Sequence, residues 1–304
     1  MKTQIILNPK AGSGRSQRAL GRLTAVLDAK GAHYEVTPTR GPRDAARLAR
    51  EARQSGVECI AVIGGDGTIS ETVQGYMENG TVAGGPKLAL VPAGTGGDFR
   101  KTFGFSDSPE DAARRILAGN TRRVDVGLAQ LTPGADPVAF INILSFGISG
   151  RTDELVNRGP KWLGGKAAFF LGTVQAMATY RNAPVRLTVD GVVVLEGRIF
   201  TVAIANGQYF GGGMQIAPSA DPGDGLLEIV VLGDLTFAES LALSRHIYSG
   251  SHLTQKKVLS FRGRVIEAEA LRASEPVLID CDGEQPGTLP LKASVIPAAL
   301  ELLV

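Results

Sequence analysis

The chain has 304 residues, 43% hydrophobic and 20% charged, with a net charge of +2 at pH 7. That is ordinary for a soluble globular protein of one large or two medium domains. The opening MKTQIILNPKAG has too short an apolar core for a signal peptide, and no apolar run spans a bilayer, so a cytoplasmic protein is expected.

The first half alternates strands and helices. QIILN reads as a strand. SQRALGRLTAVLDAKG reads as a helix with Leu20, Leu23 and Leu27 on one face and Gly31 as its stop. YEVTPT is a second strand and PRDAARLAREARQSG a second helix. CIAVIGG and KLALVPAG are buried strands, and Cys59 in the first of them is expected to be a small core hydrophobe. SPEDAARRILAGN carries Ser108 as N-cap, Pro109 at the first helical position, Asp111 three past the cap and Gly119 as the stop. Strands separated by helices of this length predict a parallel sheet covered on both sides, a three-layer α/β domain over residues 1–130.

The second half is richer in strands. VRLTVDGVVVLEGRIFTVAIANG reads as strand, Asp-Gly turn, strand and third strand; LLEIVVLGD, KVLSFRGRVIEAEA, PVLIDCDGEQ and LKASVIPA continue the pattern. Helices are expected near 163–180 and 236–248. A β-rich sandwich domain over 131–304 follows, with the boundary near Pro133, Gly134 and Pro137 and residues 297–304 returning to pack on the first domain. Residues 1–130 hold 18 Lys and Arg against 13 Asp and Glu, and residues 131–304 hold 14 against 17. A basic first half suits an anionic ligand or surface, or is ordinary scatter. No basic-aromatic run points to nucleic acid.

Three glycine-bearing loops follow strands of the first half: NPKAGSGR, GGDGT and PAGTGGDF. If those strands are parallel, the loops share one sheet edge, where main-chain N–H groups and helix N-termini bind phosphate. In the second loop Thr68 and Glu71 read as a capping box, so a helix is expected to begin at Ile69. Asp66 is the odd member. A carboxylate beside phosphates repels them unless a cation intervenes, so Asp66 suggests Mg²⁺ with nucleotide phosphates, or a base aimed at a hydroxyl. The plain alternative is a helix cap in a glycine turn. The first loop is neither a Walker A loop nor GxGxxG.

Together with GGGMQIAPSADPGDGLLEIVVL and IDCDGE, these motifs run in order from position 8 to 284. The chain resembles the soluble diacylglycerol-kinase-type lipid kinases, which include bacterial lipid kinases and are related to sphingosine and ceramide kinases. The resemblance implies an NAD-kinase-like α/β domain, a β-sandwich domain and an active site in the cleft between them. It implies ATP contacts from Asn8, Pro9, Lys10, Ala11 and Gly12, from Thr39, from Gly65, Asp66, Gly67, Thr68 and Glu71, and from Thr95. Asp66 stands at the reaction centre and Glu284 aligns with the proposed proton acceptor. Mg²⁺ falls to the carbonyls of Asp221 and Leu226 and the carboxylate of Asp224, with Asp98 and Asp125 in a water and metal network between the lobes. Without that resemblance DPGDG is a plain turn and Glu284 a solvated glutamate.

The implied activity is transfer of the γ-phosphate of ATP to a lipid hydroxyl, with diacylglycerol as the default acceptor. Peripheral contact with the inner membrane face and a possible homodimer belong to the same expectation. A kinase of this fold on another acceptor (a sphingoid base, phosphatidylglycerol or NAD) and a catalytically silent binding protein stay open. One departure stands out: the family's Asn-Asp is Gly97-Asp98 here, so a side chain that would hold nucleotide or loops is missing. Lys10, Arg15, Arg100 and Lys101 are left to meet phosphates or to face solvent. Tyr209 and Phe210, beside three glycines, suit a mobile acyl-chain loop. Phe169, Phe170, Val174 and Met177 are expected in core.

Overall fold

A computed structural model describes residues 1–93, 97–132, 134–150, 152 and 180–304. Strands β1 (Thr3–Leu7), β2 (Tyr34–Pro38), β3 (Cys59–Gly64) and, past a small ribbon of β4 (Met77–Glu78) and β5 (Thr81–Val82), β6 (Lys87–Pro92) run parallel in the order β6-β3-β1-β2. Successive side chains of a strand point to opposite faces. Ile6, Ile60, Val62, Leu88 and Leu90 therefore pack on α2 (Asp44–Gln54) and α3 (Asp66–Gln74). Ile5, Leu7, Ala61, Ile63 and Val91 pack on α1 (Arg15–Asp28) and α5 (Pro109–Ala118). These are the three layers the alternating pattern predicts. The Ser108 hydroxyl accepts the Asp111 N–H at 3.2 Å, and Gly119 ends α5 at φ 72. Between β6 and α5 lies the single turn α4 (Asp98–Lys101). Cys59 and Cys281 are buried free thiols, and burial pushes Cys59 up to about 12.

The remaining strands are β7 (Thr121–Gln130), β8 (Val138–Phe140), β9 (Ile143–Gly147), β10 (Ala183–Val189), β11 (Val192–Ile199), β12 (Thr201–Ala205), β13 (Leu227–Leu232), β14 (Val258–Gly263), β15 (Val265–Ala270), β16 (Leu278–Cys281), β17 (Glu284–Thr288) and β18 (Leu291–Leu303). They form two sheets. One has the order β14-β13-β12-β9-β16-β17; the other continues β11-β10-β15-β18 into β6-β3-β1-β2, with β7 and β8 alongside. Val185, Leu187, Ile266 and Ala293 of one sheet meet Phe146, Ile204, Ile229 and Ile279 of the other, a sandwich core. The outer face of the first of these sheets is covered by α6 (Phe237–Tyr248) through Leu243 and Ile247.

The chain changes sheet twice with a single intervening residue, Phe200 between β11 and β12 and Arg264 between β14 and β15. β18 lies antiparallel to β7 along its length, with a break between Ile296 and Leu300. It pairs with β15 near its start and with β6 at Leu302↔Leu88. The helix expected near 163–180, with Phe169, Phe170, Val174 and Met177, lies outside the described residues.

Candidate active site

Because β1, β3 and β6 are parallel neighbours, the loops that follow them emerge at one edge. They are stitched together. Asn8 Nδ2 donates to Thr68 Oγ1 at 2.9 Å, and Asn8 Oδ1 accepts the Lys10 N–H at 3.0 Å. Ala11–Gly14 form a 3-10 turn, entered by the Ala11 N–H bond to the Asn8 carbonyl, and Ser16 Oγ donates to the Pro9 carbonyl. Gly12, at φ 62, lies so close to the third loop that a Cβ would stand 2.1 Å from the Ala93 carbonyl oxygen. Only glycine permits that approach. Thr39, at the end of β2, donates its N–H to the Leu7 carbonyl and so borders the first loop.

α3 begins at Asp66, not at the expected Ile69. The Thr68 hydroxyl is engaged by Asn8, and Gly65 is the N-cap without a side-chain cap bond, so Thr68 and Glu71 form no capping box. The Asp66 carboxylate instead crosses to the third loop. Its Oδ2 accepts the N–H groups of Gly97 and Asp98 at 2.8 and 2.9 Å, and its Oδ1 accepts that of Phe99 at 3.3 Å. Asp66 thus caps α4 in trans. Gly97, at φ 83, ties the loops through its main chain, while the side chain that the family's Asn would supply stays absent. Gly65 and Gly67 bracket Asp66; Thr95 lies outside the described residues.

The basic side chains divide. Lys10 and Arg15 are exposed at the first loop, although Arg15 Nε donates to the Gly12 carbonyl. Arg100 turns inward, against the expectation of phosphate or solvent. It is buried, donates Nη1 to the Phe105 carbonyl and pairs with Asp107, bracing the turn after α4. Lys101 Nζ donates to Asp98 Oδ1 at 2.6 Å, while Asp98 Oδ2 accepts the Gly212 N–H at 2.7 Å. Buried Asp98 therefore joins the third loop to the segment holding Tyr209 and Phe210.

Asp125 is a second buried peg. It accepts N–H bonds from Gly225 at 2.8 Å and Ala298 at 2.7 Å, and its own N–H donates to the Pro222 carbonyl. The 221–226 loop is thereby fixed to β7 and to the break in β18. Asp221 accepts the Gly223 N–H and pairs with Arg122. Asp224 accepts the Leu226 N–H at 2.9 Å on Oδ1 and pairs with Arg262 on Oδ2. One carboxylate and two carbonyls, from Asp221, Asp224 and Leu226, make an all-oxygen donor set suited to a hard cation. Asn206 Oδ1, buried beside the Asp125 main chain, has no partner and would suit a metal-bound water. Set against this, Arg262 holds the Asp224 oxygen a cation would take, and no cluster of three or more metal-ligating side chains occurs among the described residues.

Glu284 opens β17, where it pairs with Cys281 in the ladder, and is exposed; its carboxylate has no hydrogen bond or ion pair among the described residues. The turn presenting it, Asp282 at φ 51 and Gly283 at φ 89, is held by a residue that sequence reading passed over. Asp282 accepts the N–H groups of Ile141, Asn142 and Ile143 at 2.9, 3.0 and 2.9 Å, and Ser70 Oγ also reaches it. Burial pushes its carboxyl up to about 6, against the opposing pull of those donors. Ser70 is four residues beyond Asp66 on α3, about 6 Å along the axis. The hairpin bearing Glu284 is therefore docked one helical turn from Asp66. Nothing in the spacing of DCDGE separates Asp282 from an ordinary Asp-Gly turn; its only trace is the apolar strand leading into it.

Residues 142–304 match the family model described as the YegS C-terminal NAD kinase beta sandwich-like domain, and residues 2–129 match the diacylglycerol kinase catalytic domain. The chain is 28% identical over 303 residues to a protein of Mycobacterium tuberculosis (strain H37Rv) named diacylglycerol kinase, covering 99% of this chain and 94% of the other. It is 35% identical over 240 residues to a Chromohalobacter salexigens protein named "Probable lipid kinase YegS-like", covering 77% and 72%. Among solved structures, a diacylglycerol kinase from Bacillus anthracis (strain Sterne) aligns with TM-score 0.72 at 24% identity over 99% of this chain and 96% of that one. An NAD kinase from Archaeoglobus fulgidus in complex with ATP shares the fold, with TM-score 0.54 at 15% identity, covering 100% and 94%.

Proposed function

The chain belongs to the lipid kinase family that joins a diacylglycerol kinase catalytic domain to a YegS-type sandwich domain, and on that premise we propose that it transfers the γ-phosphate of ATP to the free hydroxyl of diacylglycerol, giving phosphatidic acid. The observation that carries the reading is Asp66, held between two glycine loops by three main-chain N–H bonds, with the Glu284 hairpin docked one turn along the same helix.

In this proposal the loops Asn8–Gly12 and Gly65–Glu71, with Thr39 and Thr95, bind the nucleotide in the cleft between the two domains. The Asp224 carboxylate and the carbonyls of Asp221 and Leu226 would hold Mg²⁺, which would supply charge neutralisation and order in the loop. Lys10 is an exposed cation within the first loop. Asp66 keeps those loops in register and, with three N–H donors already on its carboxylate, has little room to take a proton as well. Glu284 is unpartnered, and it draws the proton from the lipid hydroxyl as the oxygen becomes a nucleophile. The protein works at the cytoplasmic membrane surface by transient contact. No helix among the described residues is long and apolar enough to cross a membrane, which is compatible with that contact.

The test is an acceptor screen with labelled ATP across diacylglycerol, monoacylglycerol, phosphatidylglycerol, sphingosine, ceramide and NAD. Labelled phosphatidic acid from diacylglycerol is expected. Faster labelling of any other acceptor overturns the choice of substrate.

A further inference from the structure

Building on the lipid-acceptor reading, we propose that α6 is the surface by which this protein settles on an anionic bilayer. The helix carries two apolar stripes. Ser240, Leu243 and Ile247 face inward onto the sandwich. Phe237, Leu241 and Tyr248, spaced i, i+4 and i+11, form the other stripe and are 49%, 57% and 56% exposed. Three of the nine exposed large hydrophobic residues among those described therefore sit on one helix of 12 residues. Exposed large apolar side chains gathered on one face of a helix mark a docking site.

The charge around the stripe selects the occupant. Arg245 lies within it, and exposed Lys256 follows the helix. The only acidic residue of α6, Glu239, is occupied by Lys257 Nζ at 2.8 Å and by capping Thr236. Nearby Asp234 is taken by Asn182 at 2.6 Å. An apolar face with cationic residues is the composition of helices that lie in a bilayer interface, drawn by acyl chains and anionic headgroups together. A second copy docked through a two-fold axis would instead bring Arg245 toward its own symmetry mate.

The helix is also wired to the proposed acceptor side. Gln215 donates its N–H to the Ile247 carbonyl at 3.0 Å, and a ring nitrogen of buried His252 meets the Ile216 carbonyl at 2.8 Å. The same segment reaches Asp98 through the Gly212 N–H. A helix seated at the interface thus holds the Tyr209–Met214 loop beside the lipid surface.

The experiment compares wild type with the double variant Phe237→Ser/Leu241→Ser, whose replaced side chains are exposed. Co-sedimentation is measured with vesicles of phosphatidylglycerol mixed with phosphatidylcholine, and turnover with diacylglycerol in detergent micelles. The variant is expected to lose about tenfold or more in vesicle binding, with its melting temperature and micellar turnover unchanged. Loss of vesicle binding supports the surface even if neither protein phosphorylates diacylglycerol, which would refute the acceptor reading alone. Vesicle binding equal to wild type overturns the proposal, and a dimer lost in ultracentrifugation with vesicle binding intact reassigns the face to a second copy.

Discussion

Asp66 accepts the main-chain N–H of Asp98 at 2.9 Å, so the acidic residue of the second loop caps the helix that the acidic residue of the third loop begins. Asp98 then reaches across to Gly212. The two carboxylates act in series along one bonded path, and removing the first loosens the second.

Two substitutions separate the capping role of Asp66 from its proposed place at the reaction centre. Asp66→Ala strips three N–H groups of their acceptor and should cost about 1–2 kcal/mol, the scale of a lost helix cap. Asp66→Asn keeps one acceptor oxygen and should unfold close to wild type, yet, with the negative charge gone from between the glycine loops, lose turnover by about 100-fold or more, the scale of a lost preorganised electrostatic contact. Thermal unfolding and turnover are measured together. An Asn variant with wild-type turnover reduces Asp66 to a cap.

Glu284→Gln keeps the size of the side chain and removes its basicity. Turnover should fall by about 10²–10⁴-fold, while ATP still raises the melting temperature as it does in wild type, because ligand bound only to the folded state stabilises it. A variant that loses the ATP-induced shift and turns over normally at saturation assigns Glu284 to nucleotide binding.

Arg262 and a cation compete for Asp224. Arg262→Gln frees that carboxylate, so a given submaximal Mg²⁺ concentration should raise the melting temperature more than in wild type, and Asp224→Ala should abolish the increment. Equal Mg²⁺ shifts in all three proteins would remove the 221–226 loop from metal binding.

Asp282 predicts a pH dependence of stability. Its folded value, about 6, is above the ordinary 3.8 of the unfolded chain, so between these values the folded state holds the extra proton. That contribution is present at pH 4 and is lost as pH rises through 6. Asp282→Asn removes it. The deficit of the variant in urea denaturation should be largest near pH 4, shrink through pH 6 and then level. A deficit that grows with pH has the opposite sign and refutes the assignment.

The first domain was readable because its signals are local. Glycines follow each strand within a few residues, and Ser108 and Gly119 sit at the ends of the helix they delimit. Asp282 and Arg100 were not readable, since each works through partners only the fold supplies. The N–H groups on Asp282 come from residues 139 to 141 positions away. Nothing local in the sequence shows that the Arg100 guanidinium turns inward rather than toward phosphate or solvent. KVLSFRGRVIEAEA reads as one continuation of the strand pattern, yet Arg264 is a corner between two sheets. The start of α3 differs from the expected Ile69 for a related reason: Thr68 has the residue type of a cap, but Asn8, 60 positions earlier, claims its hydroxyl.

The last strand of the chain bears on how the protein is made. β6 has β3 on one side and, at Leu88, the end of β18 on the other, and Leu300, Leu302 and Leu303 are buried in the first domain's two cores. While the chain is still emerging from the ribosome, the parallel sheet of the first domain has an unpaired edge and two incomplete cores. Domains usually close in order as they are synthesised; this first domain must wait for nearly the whole second one. The interval exposes a buried-type strand to foreign pairing. Stalled nascent chains ending near Pro290 should accordingly be cut by protease within β6 where released full-length protein is resistant, and equal resistance would show that the sheet closes without its final strand.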